Sequence, residues 1–197
     1  PITQTLKEFV QSDKIGRITG LTANLGYAVW DKERLRLPEL AGGALLDIGI
    51  YPLTFASNLF GDDVAQITTT AQLGDTGVAT QESITLTYRD GRVASLYASA
   101  IACSDRRGLL CGERGYAVIE NINNAESLTV YNQDHQVIDQ VSRPAQNTGF
   151  EYEVMACVEA IRTGACECPQ MPHEKIIAMM EQMDTLRGMW GLKYPME

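Results

Sequence analysis

The sequence predicts an α+β domain in which a largely antiparallel, open β-sheet carries helices on one face and leaves the other face available for oligomerisation. Three observations support this reading. Helix-like segments lie at both ends of the chain, a run of strand-like segments rich in Thr, Ile, Val and Tyr lies between them, and the connections within that run are short. Strands joined by such short connections pair antiparallel. The 197 residues suit one domain with one core, and 45% hydrophobic with 21% charged residues is the balance of a globular rather than a disordered chain. Residues 1–197 are therefore read as a single domain.

Thr5 to Val10 reads as an opening helix, and Lys14-Ile15-Gly16 as the turn into a first strand from Arg17 to Tyr27. A loop with Trp30 and Pro38 follows. Gly43 to Phe60 is apolar and helix-like and stops at Gly61, with Pro52 expected to kink it or to mark a fresh start, because proline clashes with the preceding turn. Strand patterns then cover Ile67 to Leu73, Ser83 to Tyr88, Arg92 to Ser99, Gly108 to Gly112, Tyr116 to Glu120, Ser127 to Tyr131 and Val137 to Val141, with Asp90-Gly91 a hairpin turn. Tyr152 to Arg162, stopped by Gly164, and Pro172 to Met189 return to helical spacing. Leu86, Tyr88, Leu96 and Tyr97 taken together suggest a sheet that is apolar on both sides, whose second face a subunit partner would cover.

A net charge of −9 with no block of Lys or Arg argues against nucleic acid and anionic lipid as partners. No apolar run is expected to approach the roughly 18 residues of a membrane span. Five cysteines cannot all pair, so reduced thiols and a cytoplasmic setting are expected. The start at Pro1, running straight into a helix-like segment, suggests the C-terminal portion of a longer protein.

The most informative stretch runs from Ala41 to Pro52. It sets Asp47 and Tyr51 four residues apart in an apolar run, so a helix there would place them on one face about 5–6 Å apart at Cβ. Neither group is needed for packing, which makes them the leading catalytic pair, a phenol to move a proton and a carboxylate to orient it. The plainer alternative is a core tyrosine with a helix-start carboxylate. Gly43 and Gly49 would let another backbone or a ligand come close. Phe150 and Tyr152, at a loop-to-helix junction, could close a pocket, with Phe150 the substrate-binding candidate and Tyr152 read as a core anchor. Cys166-x-Cys168 with His173 lacks the Cys-x-x-Cys spacing of a zinc knuckle and reads as a surface loop, and no metal site is assigned. His135 falls in a polar turn. Gly112-Glu113-Arg114-Gly115 joins two strands and is read as a hairpin rather than a phosphate loop, and no dinucleotide-binding fingerprint or cofactor-binding residue is found.

The Gly42-Gly43-Ala44-Leu45-Leu46-Asp47-Ile48-Gly49-Ile50-Tyr51 stretch resembles the Gly-Gly-x-Leu-x-Asp-x-Gly-x-His/Tyr signature of the glucose-fructose oxidoreductase, inositol dehydrogenase and rhizopine-catabolism family. It takes the tyrosine form of the dihydrodiol dehydrogenase branch. The likeness runs from Leu6-Lys7 to Phe150-x-Tyr152-Glu153 and Gly191-Leu192-Lys193-Tyr194-Pro195. The resemblance implies a two-domain oxidoreductase acting on a sugar, polyol or diol. An upstream Rossmann domain would bind NAD(P), and this chain would be the C-terminal substrate and oligomerisation domain, forming a homodimer or higher homo-oligomer through its sheet. It further implies that Tyr51 is the proton donor and acceptor, that Asp47 orients substrate or catalytic groups, and that the family's lysine, in an upstream Glu-Lys-Pro motif, lies outside this sequence. No cofactor is expected on this chain alone. The alternative is a non-catalytic dimerisation or small-molecule-binding domain.

Overall fold

The computed structural model describes residues 2–197. Helix α1 (Ile2–Gln11) buries Ile2, Leu6 and Phe9, spaced four and three residues apart as one helical face requires. Strand β1 (Ile18–Gly26) follows, then a one-turn helix α2 (Glu33–Arg36) in the segment read as loop. A wide five-residue π turn (Leu45–Gly49) runs without interruption into α3 (Ile50–Phe60), which ends at Gly61 as expected.

Seven further strands follow: β2 (Val64–Leu73), β3 (Ala79–Tyr88), β4 (Val93–Ser99), β5 (Gly108–Gly112), β6 (Gly115–Glu120), β7 (Ser127–Asn132) and β8 (Val137–Ser142). The chain closes with α4 (Phe150–Thr163) and α5 (His173–Trp190). The eight strands form one sheet in the order β2-β3-β4-β1-β5-β6-β7-β8. Every neighbouring pair is antiparallel except β1 with β4. A parallel pair needs a long crossover. Here the crossover is the whole segment from α2 through β3, which lays the π turn and α3 across one face of the sheet.

That face holds the core. Leu21, Leu25, Ile84, Leu86, Leu96, Leu110 and Ile119 are buried on it beneath Leu45, Ile48 and Leu53 of the crossover and Met179, Met183 and Leu186 of α5. Leu86, Tyr88 and Leu96 are all buried on this helix side. Of the four residues expected to make the second face apolar, alternation turns only Tyr97 to that side, and the reading is corrected for the other three. There Tyr97 sits in register with Ser83 and Asn24, in a field of Thr, Ser and Asn side chains that includes Thr22, Thr85 and Ser95. The uncovered face is thus hydroxyl-rich over β3, β4 and β1, whereas over β5 to β7 it carries Leu109, Tyr116, Val118 and Tyr131.

Two further differences are physical rather than local. Pro38–Phe60 reaches, by length and composition, the threshold for a membrane span, contrary to the sequence expectation; 61% of its most apolar stretch is buried inside the fold, where it is the central helical segment. Helix α4 buries no residue, and Phe150, Val154, Met155, Val158 and Ile161 are all exposed along it.

Candidate functional site

The π turn is the local consequence of Pro52. Proline brings no N–H and its ring excludes the carbonyl four residues back, which is that of Ile48. The backbone widens instead, and the Ile50 N–H reaches the Leu45 carbonyl five residues back. Gly43, just before the turn, and Gly49, at its end, have separate tasks. Gly43 has φ of 109°, a backbone state that disfavours side chains, and a Cβ there would lie 3.3 Å from the Ala79 backbone. A Cβ on Gly49 would stand 2.5 Å from Glu82 Oε1.

Asp47 and Tyr51 leave this segment toward different partners. Arg34 Nη1 of α2 donates to Asp47 Oδ1 at 2.5 Å, and this bond, with the carboxylate's charge, holds the Arg34 guanidinium above its ordinary pKa. The cation beside the motif is therefore an arginine from the segment read as loop. No hydrogen bond joins Asp47 to Tyr51. The Tyr51 side chain lines a cavity of about 520 Å³ and is 43% exposed.

That cavity brings together parts of the chain distant in sequence. Its walls include Ile2, Thr3 and Leu6 of α1, Tyr51 and Phe55 of α3, and Asn124. Arg143 and Gln146, from the segment after β8, also face it, as do Gly149, Tyr152 and Glu153 at the start of α4. Residues 149, 152 and 153 fall on one helical face, so Phe150 points away and is 70% exposed, outside the lining set. Tyr152, read as a core anchor, is half-buried and lines the cavity. Lys175 Nζ donates to Asn58 Oδ1, another wall residue, at 2.9 Å.

Beneath the turn lies a residue that sequence reasoning missed. Glu82 of β3 is 2% exposed, and neither carboxyl oxygen has a hydrogen-bond partner among the described residues. Desolvation pushes its pKa up to about 8, so the group is largely neutral at pH 7. The only signal in the sequence is a charged residue at an inward position of the pattern from Glu82 to Tyr88, between Thr80 and Ile84.

The other motifs resolve simply. Gly112 to Gly115 closes the β5–β6 hairpin, where Arg114 Nη2 bonds Asp13 Oδ2 at 2.7 Å. His135 sits in the β7–β8 turn with Nδ1 3.2 Å from Tyr116 Oη. Cys166, Cys168 and His173 line a second cavity with Cys157, and among the described residues no three His, Cys, Asp or Glu side chains converge as metal ligands. Glu167 Oε2 accepts the His173 backbone N–H at 2.7 Å, which satisfies a donor at the start of α5.

Comparison with known proteins adds relatives along most of the chain. Trans-1,2-dihydrobenzene-1,2-diol dehydrogenase of Xenopus tropicalis is 26% identical over 201 residues, a span that covers 99% of this chain and 61% of that protein. D-xylose 1-dehydrogenase (NADP(+)) 2 of Haloferax volcanii is 27% identical over 94% of this chain and 58% of its own length. The chain thus spans about three-fifths of the curated relatives it matches. Among solved structures, the 3-ketoreductase KijD10 from Actinomadura kijaniata, in complex with NADP and TDP-benzene, superposes with a TM-score of 0.82 at 21% identity. That superposition covers 94% of this chain and 57% of the reductase and establishes the shared fold. The family model described as the GFO/IDH/MocA C-terminal domain matches residues 3–118. That span runs from α1 into β6 and takes in the glycine-bearing turn with Asp47 and Tyr51, so the chain belongs to the family of GFO/IDH/MocA C-terminal domains.

Proposed function

We propose that this chain is the substrate and oligomerisation domain of an NAD(P)-dependent oxidoreductase that interconverts a hydroxyl and a carbonyl on a sugar, polyol or diol. The observation that carries the reading is Tyr51, whose side chain lines a cavity of a small ligand's size walled by polar groups from four distant segments. A phenol there gives a proton to the oxygen of a carbonyl undergoing reduction, and takes it back in the reverse direction. Asp47, neutralised by Arg34, holds the turn from its other side and is the positioning carboxylate of this reading. Phe150, at the edge of the α4 face, is kept as a substrate contact only in the assembled protein.

The nicotinamide does not fit this chain's own residues. The one parallel strand pair, β1 with β4, has no glycine-rich strand-to-helix turn, and Gly112 to Gly115 lies in a hairpin. We therefore assign NAD(P) binding, and with it hydride chemistry, to a Rossmann domain upstream. Two features favour a neighbour on this side. Ile2 and Thr3, at the start of α1, line the same cavity as Tyr51, and α4 carries an exposed apolar row that needs a cover. The open sheet face is the surface assigned to self-association, and the five free cysteines favour a reducing, cytoplasmic setting.

Tyr51→Phe in the two-domain protein tests the reading. Turnover is expected to fall by roughly 10²- to 10⁴-fold with cofactor affinity nearly unchanged. Unchanged turnover would remove Tyr51 from the proton-handling role.

A further inference from the structure

Arg143 follows directly after β8 and lines the Tyr51 cavity. In a chain with a net charge of −9, Arg34, Arg92, Arg107, Arg114 and Arg187 each hold a carboxylate within 4 Å. Arg143, like Arg17, Arg36 and Arg106, holds none among the described residues; unlike them it lines the Tyr51 cavity, where it is half-buried and the sole cation among the described wall residues. It is nonetheless fixed. Its backbone N–H donates to the Glu126 carbonyl at 2.9 Å, and Nη1 donates to the Asn124 carbonyl at 3.0 Å. Asn124 is itself clamped, with Oδ1 accepting from Gln146 Nε2 at 2.9 Å and Nδ2 donating to the Thr148 carbonyl at 3.1 Å.

A guanidinium anchored at one nitrogen keeps its remaining N–H groups for an incoming acceptor. Their planar fork matches the paired oxygens of a carboxylate or phosphate. Withdrawing such a group partly from water without a partner is costly, and an anionic ligand removes that cost. Glu153 is the one acidic residue of the wall; it is exposed, makes no ion pair with Arg143, and also borders the second cavity. It leaves the guanidinium free and offers an acceptor for sugar hydroxyls.

We propose that the Tyr51 cavity contains an anion subsite centred on Arg143, so that the substrate is a sugar or diol bearing a carboxylate or phosphate group. The subsite rests on the reading of this cavity as the substrate site. The hydroxyl carbon would face Tyr51 and the anion would lie on Arg143, with the Asn123 and Gln146 amides beside it.

The test is a binding titration on the 197-residue chain with glucose, glucuronate and glucose 6-phosphate, followed by backbone amide NMR shifts at residues 122–125 and 143–149. At least one anionic sugar is expected to bind about tenfold or more tighter than glucose. Arg143→Gln should abolish that preference, whereas Arg143→Lys, which keeps the charge, should retain part of it. Which anion is preferred separates a carboxylate from a phosphate substrate. Equal binding of the three sugars, no binding of any, or a preference that survives in Arg143→Gln overturns the subsite. Because no hydride transfer is involved, this result is independent of the Tyr51→Phe turnover measurement. The subsite can fail while the oxidoreductase reading stands.

Discussion

Replacing Glu82 by glutamine should stabilise this protein, and by an amount that grows with pH. In the folded state the carboxyl is sealed between β3 and the π turn with no hydrogen-bond partner among the described residues, and burial raises its pKa from its ordinary value of 4.5 to about 8. The unfolded chain releases this proton near pH 4.5, whereas the folded chain holds it until about pH 8. Between those values the folded state binds the extra proton, so stability is fully present below pH 4.5 and is lost as pH rises through 8. At about 1.4 kcal/mol per pH unit, the carboxyl costs the fold about 3 kcal/mol at pH 7 and about 5 kcal/mol on the plateau above pH 8. Glutamine keeps the size and polarity but cannot ionise, so it tracks protonated Glu82 at every pH. The assay is thermal and urea unfolding of both proteins from pH 5 to 9. For a domain of this size, a gap of about 5 kcal/mol corresponds to a Tm difference of roughly 10–20 °C at pH 9, shrinking to a few degrees or less at pH 5. All other titrating groups are common to both proteins and cancel in the difference. Two curves that stay parallel across this range would refute the buried, unpartnered carboxyl.

Two related outcomes follow from the same region and from the start of α4. Gly49→Ala should destabilise the fold by about 1–3 kcal/mol, because the new methyl meets Glu82 Oε1 at 2.5 Å and Leu45 Cδ1 at 3.1 Å. In a Glu82→Ala background most of that cost should vanish, and additive costs in a urea double-mutant cycle would show that the two residues do not touch. Glu151 behaves in the opposite sense to Glu82. Its pKa is lowered to about 2 by its own backbone N–H and those of Asn147, Thr148 and Gly149, all of which donate to it. Its contribution is therefore present above about pH 4.5 and lost as pH falls through 2. Glu151→Gln should flatten the acid limb of stability between pH 5 and 2, as read by helix circular dichroism; an unchanged acid limb would mean that this cap contributes nothing.

Much of the fold is legible locally. Seven of the eight strands are marked by β-branched or aromatic residues and β5 by Leu-Leu-Cys between two glycines, and their expected ends fall within a few residues of the observed ones. The largest differences are at β2 and β3, where the first residues of each strand join the sheet by pairing with the last residues of the other rather than by their own pattern. The helix from α3 backwards is legible as well, but its wide turn is not, because periodicity does not distinguish a five-residue from a four-residue repeat over so short a stretch. The short helix α2 is equally silent, yet it delivers Arg34 to Asp47.

The site divides along the same line. Asp47, Gly49 and Tyr51 stand out by chemistry that their apolar neighbours do not need. Arg143, Asn124 and Tyr152 reach the Tyr51 cavity only because β8 ends there and the first turn of α4 faces inward. Glu82 is unremarkable as a residue until the sheet and the π turn close over it. The sequence by itself determined the order of the long helices and the strands, the antiparallel habit of the sheet and the helical segment that carries Asp47 and Tyr51, since these depend on side-chain period, proline and glycine within a few residues. Only the tertiary structure decided which face of the sheet is dry, which cation meets Asp47 and which groups share the cavity. Those follow from the β1–β4 crossover, which brings together residues far apart along the chain.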